Sequence, residues 1–410
     1  MLPLLSTLLL GLSPSASTRH NFLRATVVRM CAEPESAAEK LARLEALELS
    51  RYQAERLSAP RKTIGEKLRI VFFGKPKIAT ASEGTLSTVP FVLPEEVTQH
   101  PEVSPPAGFA PPTPRPFLPT GDWLTLLSST IALALRFVAG VFVTGWRPRL
   151  AFRPDGGYSL RLFPFLPLFL CETSHVLRGN VPRPQGRLLL YEFDSSPFCR
   201  KVRDACTQLD LTIECRPCPG AGVAIPNPIC EEHLKLHGRR TVPFLLDEGA
   251  GIAMFESEDI IRYLYRTYGP GEDHIPFSLR GTVALASAGS AAIVRGMPAD
   301  KMQVDARPDN HLMRPLTVYG YEGSPFCHPV REKLCALGLP HIVVPCGRGS
   351  ANRAKLAERT GHPFQVPYLV DPNTGVEMSE SIEIRMFLDR VYTTSGYTPL
   401  RGGSYLSDFS

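Results

Sequence analysis

The sequence has no dense face of lysine and arginine interleaved with aromatic residues, and this absence argues against a nucleic-acid partner. Lys and Arg together number 45 against 40 Asp and Glu, which leaves a formal net charge of only +5. Part of this excess lies near the N-terminus, where three arginines precede the first acidic residue, Glu33. We therefore expect no binding to nucleic acid.

Cysteine is also sparse, at 10 residues in 410, which excludes a disulfide-stapled scaffold. Cys215 and Cys218 have the spacing of half a zinc ligand set, but no second half follows at a usable distance in the sequence. The 10 histidines form no metal set either. We expect no metal and interpret Cys215 and Cys218 as thiols at the end of a strand, with a metal ligand pair as the alternative.

The N-terminal apolar run, residues 2–12, is too short to span a membrane. A Ser/Thr/Arg-rich stretch without acidic residues follows it, as in a transit peptide. This order resembles the two-part plastid presequence of algae with complex plastids, while a simple plastid, mitochondrial or secretory signal remains an alternative. We predict a targeting presequence over 1–34 and a plastid (chloroplast) location.

Residues 35–120 lack the apolar periodicity of a folded domain. Alanine, leucine and alternating charges over 35–57 favour an exposed helix. Prolines then cluster between residues 89 and 119, which is typical of a linker. We predict that 35–120 is a helix followed by a largely disordered Pro-rich linker.

The apolar run 123–146 is long enough to cross a bilayer and has tryptophan at both ends. Arg136 at its middle would cost roughly 2.5–3.5 kcal/mol in a membrane. An amphipathic helix lying on a membrane or against the following domain is the equal alternative. A second apolar run, 162–170, is broken by prolines and predicts a buried or interfacial segment. We therefore predict a hydrophobic helix and an interfacial segment over 121–186, with membrane association through 123–146.

From residue 187 onward the chain contains an internal duplication. Residues 188–207 and 316–335 are identical at 8 of 20 aligned positions, with an offset of 128 (327 − 199). Two further pairs of motifs, Val-Pro at 242 and 366 and Glu-Ser at 256 and 380, share an offset of 124. Separated motifs that keep one register indicate a repeat.

Each repeat reads as βαβαββα. In the first copy, apolar strands are predicted at 187–193, 211–215, 242–246 and 252–255, with helices after the first, second and last strands. The predicted fold class is therefore α/β, with two tandem domains at 187–270 and 315–393. Residues 271–314 are predicted as a linker and 394–410 as a tail.

This order, with Ser-Pro-Phe-Cys, Val-Pro and Glu-Ser in these places, resembles the glutaredoxin-like, thioredoxin-fold N-terminal domain of the glutathione transferases. The resemblance covers 187–269 and 315–392. The tandem arrangement after a plastid-type leader is similar to the tandem proteins of this kind in plants and algae. The resemblance implies glutathione as ligand or co-substrate.

The resemblance also implies site residues. Ser196 and Ser324 occupy the position of the family's active Cys or Ser, at a helix N-terminus that favours an anion. Cys199 and Cys327 are then either redox-sensitive thiols or packed core cysteines. The implied glutathione contacts are two cis Val-Pro bonds and two Glu-Ser pairs, namely Val242, Pro243, Glu256, Ser257, Val366, Pro367, Glu380 and Ser381.

Two departures from the family bear on activity. Serine replaces the attacking cysteine of a dithiol glutaredoxin, although a serine hydroxyl can donate to a bound thiolate. The C-terminal helical domain that holds the transferases' second substrate is missing. The sequence therefore predicts a glutathione-binding protein with transferase-like or thiol-redox activity. The alternative is a non-catalytic, membrane-associated redox-sensing or scaffold module.

Overall fold

The computed structural model describes residues 89–115, 122–137, 139–145, 147–154, 157–179, 181–219, 227–361 and 365–395, all within one compact unit, Glu66–Ser410. The predicted presequence (1–34), the predicted helix over 35–57 and residues 396–410 of the predicted tail lie outside the described residues.

The first described helix, α1, spans Trp123–Leu135 and is shorter than the predicted apolar run. It ends where Arg136 turns inward, because this buried guanidinium pairs with the equally buried Asp204. Among the residues that the structure describes, no helix is long and apolar enough to cross a membrane. In place of one helix over 123–146, the structure has this shorter helix, packed against the following domain.

A small antiparallel sheet of order β1-β3-β2 follows α1. Its strands are β1 (Arg149–Ala151), β2 (Tyr158–Arg161) and β3 (Phe169–Glu172). The second apolar run falls on the β2–β3 turn and on β3. Its turn is exposed, with Phe165 97 % accessible, so burial is the wrong expectation for that part.

The first copy follows the predicted βαβαββα order. Its elements are β4 (Leu188–Glu192), α2 (Pro197–Gln208), β5 (Ile213–Pro217), α3 (Pro228–His237), β6 (Phe244–Asp247), β7 (Ile252–Phe255) and α4 (Ser257–Tyr268). Proline suits the first position of α2, where an N–H would have no intrahelical acceptor. β5 starts two residues later than predicted, since the Leu211 N–H still bonds to the Cys206 carbonyl at the end of α2.

The predicted linker 271–314 is folded. Three 3₁₀ turns, Glu272–His274, Phe277–Leu279 and Asn310–Leu312, flank helix α5 (Gly281–Val294). This helix carries no charged residue, and alanines on one face are fully buried. A 14-residue helix with a packed face is not a linker, so that expectation is corrected.

The second copy repeats the order of the first. Its elements are β8 (Leu316–Gly320), α6 (Cys327–Ala336), β9 (His341–Pro345), α7 (Asn352–Thr360), β10 (Tyr368–Asp371), β11 (Val376–Ser379) and α8 (Ser381–Tyr392). Val330 and Leu334 of α6 pack with Phe387 of α8 in its buried core.

The two copies join edge to edge into one eight-stranded sheet of order β11-β10-β8-β9-β5-β4-β6-β7. β5 and β9 pair antiparallel at its centre, with Glu214 opposite Ile342. These two positions differ by the repeat offset (342 − 214 = 128), so a local two-fold axis passes through this pair. Pairing the two strands also removes two open sheet edges.

Helices α1 and α5 lie side by side under the same two-fold relation. The Arg136 guanidinium, at the end of α1, donates to the Ser287 hydroxyl of α5 at 2.8 Å. Arg295, at the end of α5, reciprocally donates to the Ser128 hydroxyl of α1. Each helix end thus meets the early part of its partner, which makes the pair antiparallel.

The segment 89–115 forms no helix or strand but packs against both copies. Val89, Phe91 and Leu93 lie on the first core, and the Val89 N–H bonds to the Ala253 carbonyl of β7 at 2.9 Å. Further on, the Phe109 ring packs at a tilt against Phe387 of the second copy, with ring centroids 5.1 Å apart. Apolar contacts therefore hold this part of the predicted disordered linker in place, which corrects that expectation for 89–115.

Buried charges fill the junction between the copies. Arg203 donates from Nε and Nη2 to the two Glu322 carboxylate oxygens at 3.1 Å each, and it also pairs with Glu192 of its own copy. Its counterpart Arg331 pairs with Glu322 and reaches Glu192 at 3.5 Å. None of these four side chains is more than 4 % exposed. Each arginine therefore binds carboxylates from both copies.

Replacing Arg203 with methionine should lower the free energy of unfolding by about 3–5 kcal/mol, because it removes one of the arginine charges that compensate the buried carboxylates. Urea unfolding of the full chain measures this effect. Arg359→Met is the matched control, since Arg359 is 44 % exposed and pairs with Glu377 at the surface. That control should cost about 0–1 kcal/mol. Equal losses in the two variants would contradict a central role for the buried charges.

Candidate functional site

Three of the predicted motifs meet at one end of the sheet in the first copy. Tyr191 pairs with Phe244, and Phe244 pairs with Phe255. The next row of residues along these three neighbouring strands is therefore Glu192, Pro243 and Glu256. Because neighbouring strands lie about 4.8 Å apart, the Val-Pro and Glu-Ser motifs flank the start of the loop that leads to α2.

The second copy has the same register. Tyr368 pairs with Tyr319 on one side and with Ser379 on the other. The next row is accordingly Gly320, Pro367 and Glu380. Both predicted Val-Pro bonds, before Pro243 and before Pro367, are cis in the structure.

The two candidate serines are buried at the starts of helices. Ser196 is 3 % exposed, and its hydroxyl oxygen accepts the Cys199 N–H at 3.3 Å. Ser324 is 2 % exposed and accepts the N–H groups of Phe326 and Cys327 at 3.3 and 3.2 Å. Each hydroxyl oxygen thus satisfies helix N–H groups that have no intrahelical acceptor. A ligand thiol would reach either hydroxyl only after a local opening.

Loops from the helix pair contact the residue that precedes each serine. The residue after α5, Arg295, leads into a loop whose Pro298 carbonyl accepts the Ser195 hydroxyl. The loop after α1 reaches the other copy, where the Gly140 carbonyl accepts the Gly323 N–H at 3.1 Å. Position 323 must be small, because a Cβ there would lie 2.7 Å from the Ala139 carbonyl oxygen.

Cys199 and Cys327 are packed in the protein interior, with no exposed area. Burial and the nearby Glu192 carboxylate raise the pKa of the Cys199 thiol to about 12, against weaker opposing contacts. Burial likewise raises the pKa of Cys327 to about 11. Since the thiolate is the nucleophile, both thiols are unreactive at neutral pH in this conformation. The packed-core alternative fits this geometry better than the redox one.

The Glu-Ser motifs share a strained backbone. Glu256 and Glu380 have φ of +71° and +76°, a conformation that side-chain-bearing residues rarely adopt. Ser257 and Ser381 are the first residues of α4 and α8, where N–H groups point away from the helix. Strain that recurs at one position of both copies is typical of a functional site.

The two Glu side chains differ in their surroundings. The Glu256 carboxylate is exposed and has no ion-pair or hydrogen-bond partner across the described ranges. The Glu380 carboxylate instead accepts the Arg115 N–H at 2.9 Å and the Gln365 amide at 3.2 Å. The Arg115 guanidinium also pairs with Glu383, one turn into α8. The chain's own segment therefore occupies the second copy's site.

Cys215 and Cys218 lie on opposite faces of the sheet. Cys215 packs with the α2 side of the core, whereas Cys218 packs with Ile229 of α3. An odd spacing of three along a strand produces this separation. The two thiols cannot share a metal ion, in agreement with their interpretation as strand-end cysteines.

Folding brings together two buried groups with metal-ligand atoms that no sequence spacing revealed. They are Glu192, Cys215 and His341, and Asp194, His328 and Glu332. Arg203 already donates to Glu192, and Arg295 donates to both oxygens of Glu332. Guanidinium groups thus take carboxylate oxygens that a cation would need.

The covering loops and Arg115 were not recognised as site residues from the sequence. The sequence does contain a sign that α1 and α5 are equivalent, because the same Ser-to-Arg spacing of eight residues occurs at Ser128 and Arg136 and at Ser287 and Arg295. The role of Arg115 had no such signal, since it depends on where a proline-rich segment crosses the second copy.

Comparison with known proteins matches two segments of the chain. The family model described as Glutathione S-transferase, N-terminal domain matches residues 190–272 and 318–396. These segments coincide with the two βαβαββα copies, and their tandem occurrence agrees with the duplication. No curated protein and no solved structure matches the chain.

Alkylation of the native protein tests the state of the buried thiols. At pH 8 Cys199 and Cys327 should react with iodoacetamide at least about 100-fold more slowly than in urea, because little thiolate is present and access is blocked. Their rates should rise with pH towards pH 11–12, since their pKa values are raised. Peptide mass spectrometry measures each site.

Cys230 provides an internal comparison. A hydrogen bond from the Cys218 thiol lowers the pKa of Cys230, and 6 % of this residue is exposed. It should be labelled before Cys199 and Cys327. Fast native labelling of Cys199 would instead indicate an open, reactive thiol.

Proposed function

We propose that this protein binds glutathione at the edge of its first copy. The observation that carries the proposal is the exposed Glu256 carboxylate, which has no partner among the described residues, beside Ser257 and the cis bond before Pro243, on the segment that matches the glutathione transferase N-terminal domain. The matched domain family binds glutathione, and the three groups offer the contacts that this tripeptide requires.

Each end of glutathione finds a complementary group. We assign the Glu256 carboxylate to the γ-glutamyl ammonium, and the Ser257 hydroxyl with the first N–H groups of α4 to the γ-glutamyl carboxylate. The half-buried Val242 backbone is placed for the cysteinyl part. Arg239, whose guanidinium lies 5.4 Å from the Phe255 ring centre, supplies a cation for the glycyl carboxylate.

The second copy is closed to the same ligand in this conformation. Arg115 holds the Glu380 and Glu383 carboxylates, which face the position that a γ-glutamyl ammonium would take. A ligand must displace this arginine before it can bind. We therefore expect one glutathione per chain, not two.

The chemistry that follows binding has two candidates. Transferase-like or thiol-redox activity requires Ser196 or Cys199 to meet the glutathione sulfur, and so requires the loop around Pro298 to move. The rival is a non-catalytic, membrane-associated redox-sensing or scaffold module. Burial of both serines and the raised pKa values of both cysteines favour this rival. The composition of residues 1–34 supports a plastid location in either case.

Isothermal titration of the full chain with reduced glutathione tests the binding proposal. Glu256→Gln and Ser257→Ala should each weaken binding about 10-fold or more, because each removes a charge-assisted hydrogen bond worth roughly 1.5–3 kcal/mol. The matched variants Glu380→Gln and Ser381→Ala should leave the affinity unchanged, since Arg115 closes their site. A stoichiometry near one is expected.

Two results would overturn the proposal. Absence of glutathione binding by a correctly folded chain would exclude the ligand. Loss of binding in Glu380→Gln but not in Glu256→Gln would show that glutathione binds to the second copy, contrary to the proposal.

Turnover separates the two chemistries. If the protein is an enzyme, assays with a general electrophile and with a mixed disulfide should show activity. Ser196→Ala should reduce that activity, because Ser196 provides the hydroxyl at the start of α2 in the copy with the accessible site. Glutathione binding without any turnover would support the non-catalytic module. Activity that is retained in Ser196→Ala would move the assignment to Cys199.

A further inference from the structure

A separate cavity lies at the opposite end of α2 from Ser196. Its volume is about 170 Å³, and its walls come from the turn after α1, the turn after β3, the last residue of α2, helix α4 and the first 3₁₀ turn. Ser196 and Gln208 are 12 residues apart along α2, so roughly 18 Å separates the cavity from the candidate glutathione site.

The charges that line this cavity are all potential cations. Arg147, Arg178, His175 and His274 line it, and no carboxylate does. Within the described ranges, none of these four side chains makes an ion pair or a hydrogen bond. The nearby Glu172 does not line the cavity, and one of its oxygens is engaged by the Thr144 N–H and hydroxyl. The cavity therefore has an excess of unpaired donors.

Gln208 provides a second, independent sign of a missing ligand. This residue is 1 % exposed and lines the cavity. Its amide oxygen accepts the Tyr265 hydroxyl at 2.6 Å, but its amide nitrogen has no partner in the described part of the chain. The same is true of the Arg178 Nε. Buried donors in native proteins nearly always have an acceptor.

We propose that this cavity binds a small oxyanion of the phosphate or sulfate class, free or as the charged group of a metabolite. Two guanidinium groups and the Gln208 amide offer donors to several oxygens of one tetrahedral anion, which is the arrangement that arginine provides best. The volume is well above the roughly 10–15 Å³ that one water requires by the same measure, so it can hold one such group with part of its hydration.

The state of His175 agrees with this assignment. Burial lowers the pKa of His175, and the charges of Arg178, His274 and Arg147 lower it further. An anion placed among these groups would oppose their effect. Binding of the anion should therefore raise the pKa of His175, which histidine-selective NMR of the full chain can follow.

Titration of the full chain with inorganic phosphate, in a buffer without other oxyanions, tests the proposal. We expect saturable one-to-one binding, and we expect Arg147→Gln and Arg178→Gln each to weaken it at least about 10-fold. Arg147 is exposed, so its substitution does not endanger the fold. Arg359→Gln makes the same change in net charge on the second copy and should have no effect.

Further ligands identify the source of the anion. Sulfate that competes with phosphate would indicate recognition of the bare oxyanion, whereas a phosphomonoester that binds more tightly than either would indicate a metabolite. Phosphate should still bind when glutathione is present and in Glu256→Gln, which separates this site from the proposed glutathione site.

The proposal fails if no saturable binding occurs up to about 10 mM phosphate, where even weak specific sites are occupied. It also fails if Arg359→Gln weakens binding as much as Arg178→Gln, because that would indicate attraction to overall charge. An unchanged pKa of His175 on saturation would place the anion elsewhere.

Discussion

The pairing of Arg203 and Arg331 with carboxylates from both copies is the interaction on which the rest of the structure depends. Buried charges are costly unless they are paired, and each of these glutamates pairs with one arginine of its own copy and one of the other copy. This requirement fixes the relative placement of the copies more tightly than apolar contact alone. The continuous sheet through β5 and β9 lies next to these charges and has the same two-fold symmetry.

The charged junction between the copies also determines how accessible the N-termini of α2 and α6 are. Once the copies are locked together, the loops after α1 and α5 lie over the starts of α6 and α2. Ser196 and Ser324 then serve as helix caps, and Cys199 and Cys327, three residues further on, are buried with them. The proposed glutathione site is therefore at the sheet end beside Glu256, where the two copies differ because Arg115 contacts the corresponding Glu380 of the second copy.

The repeat and its element order could be predicted because apolar periodicity and turn residues are local signals, and Val242-Pro243 and Glu256-Ser257 recur in register. The helix over 281–294 escaped prediction because it is nearly all small residues and gives no amphipathic pattern. The prediction of one long apolar helix over 123–146 did not anticipate that Arg136 is buried against Asp204, which lies 68 residues away in the sequence. Arg115 and the cation-lined cavity likewise depend on contacts between distant segments, which no local pattern records.

The reciprocal contacts of α1 and α5 also carry an evolutionary consequence. Thr125, Ser128 and Arg136 correspond to Ala284, Ser287 and Arg295 at one offset (295 − 136 = 159), so the repeated unit includes a helix before each βαβαββα copy. A self-complementary interface related by a two-fold axis is the hallmark of a homodimer. The chain is best understood as such a dimer fused into one polypeptide, whose halves have since been free to specialise, one keeping an accessible site and the other covering it.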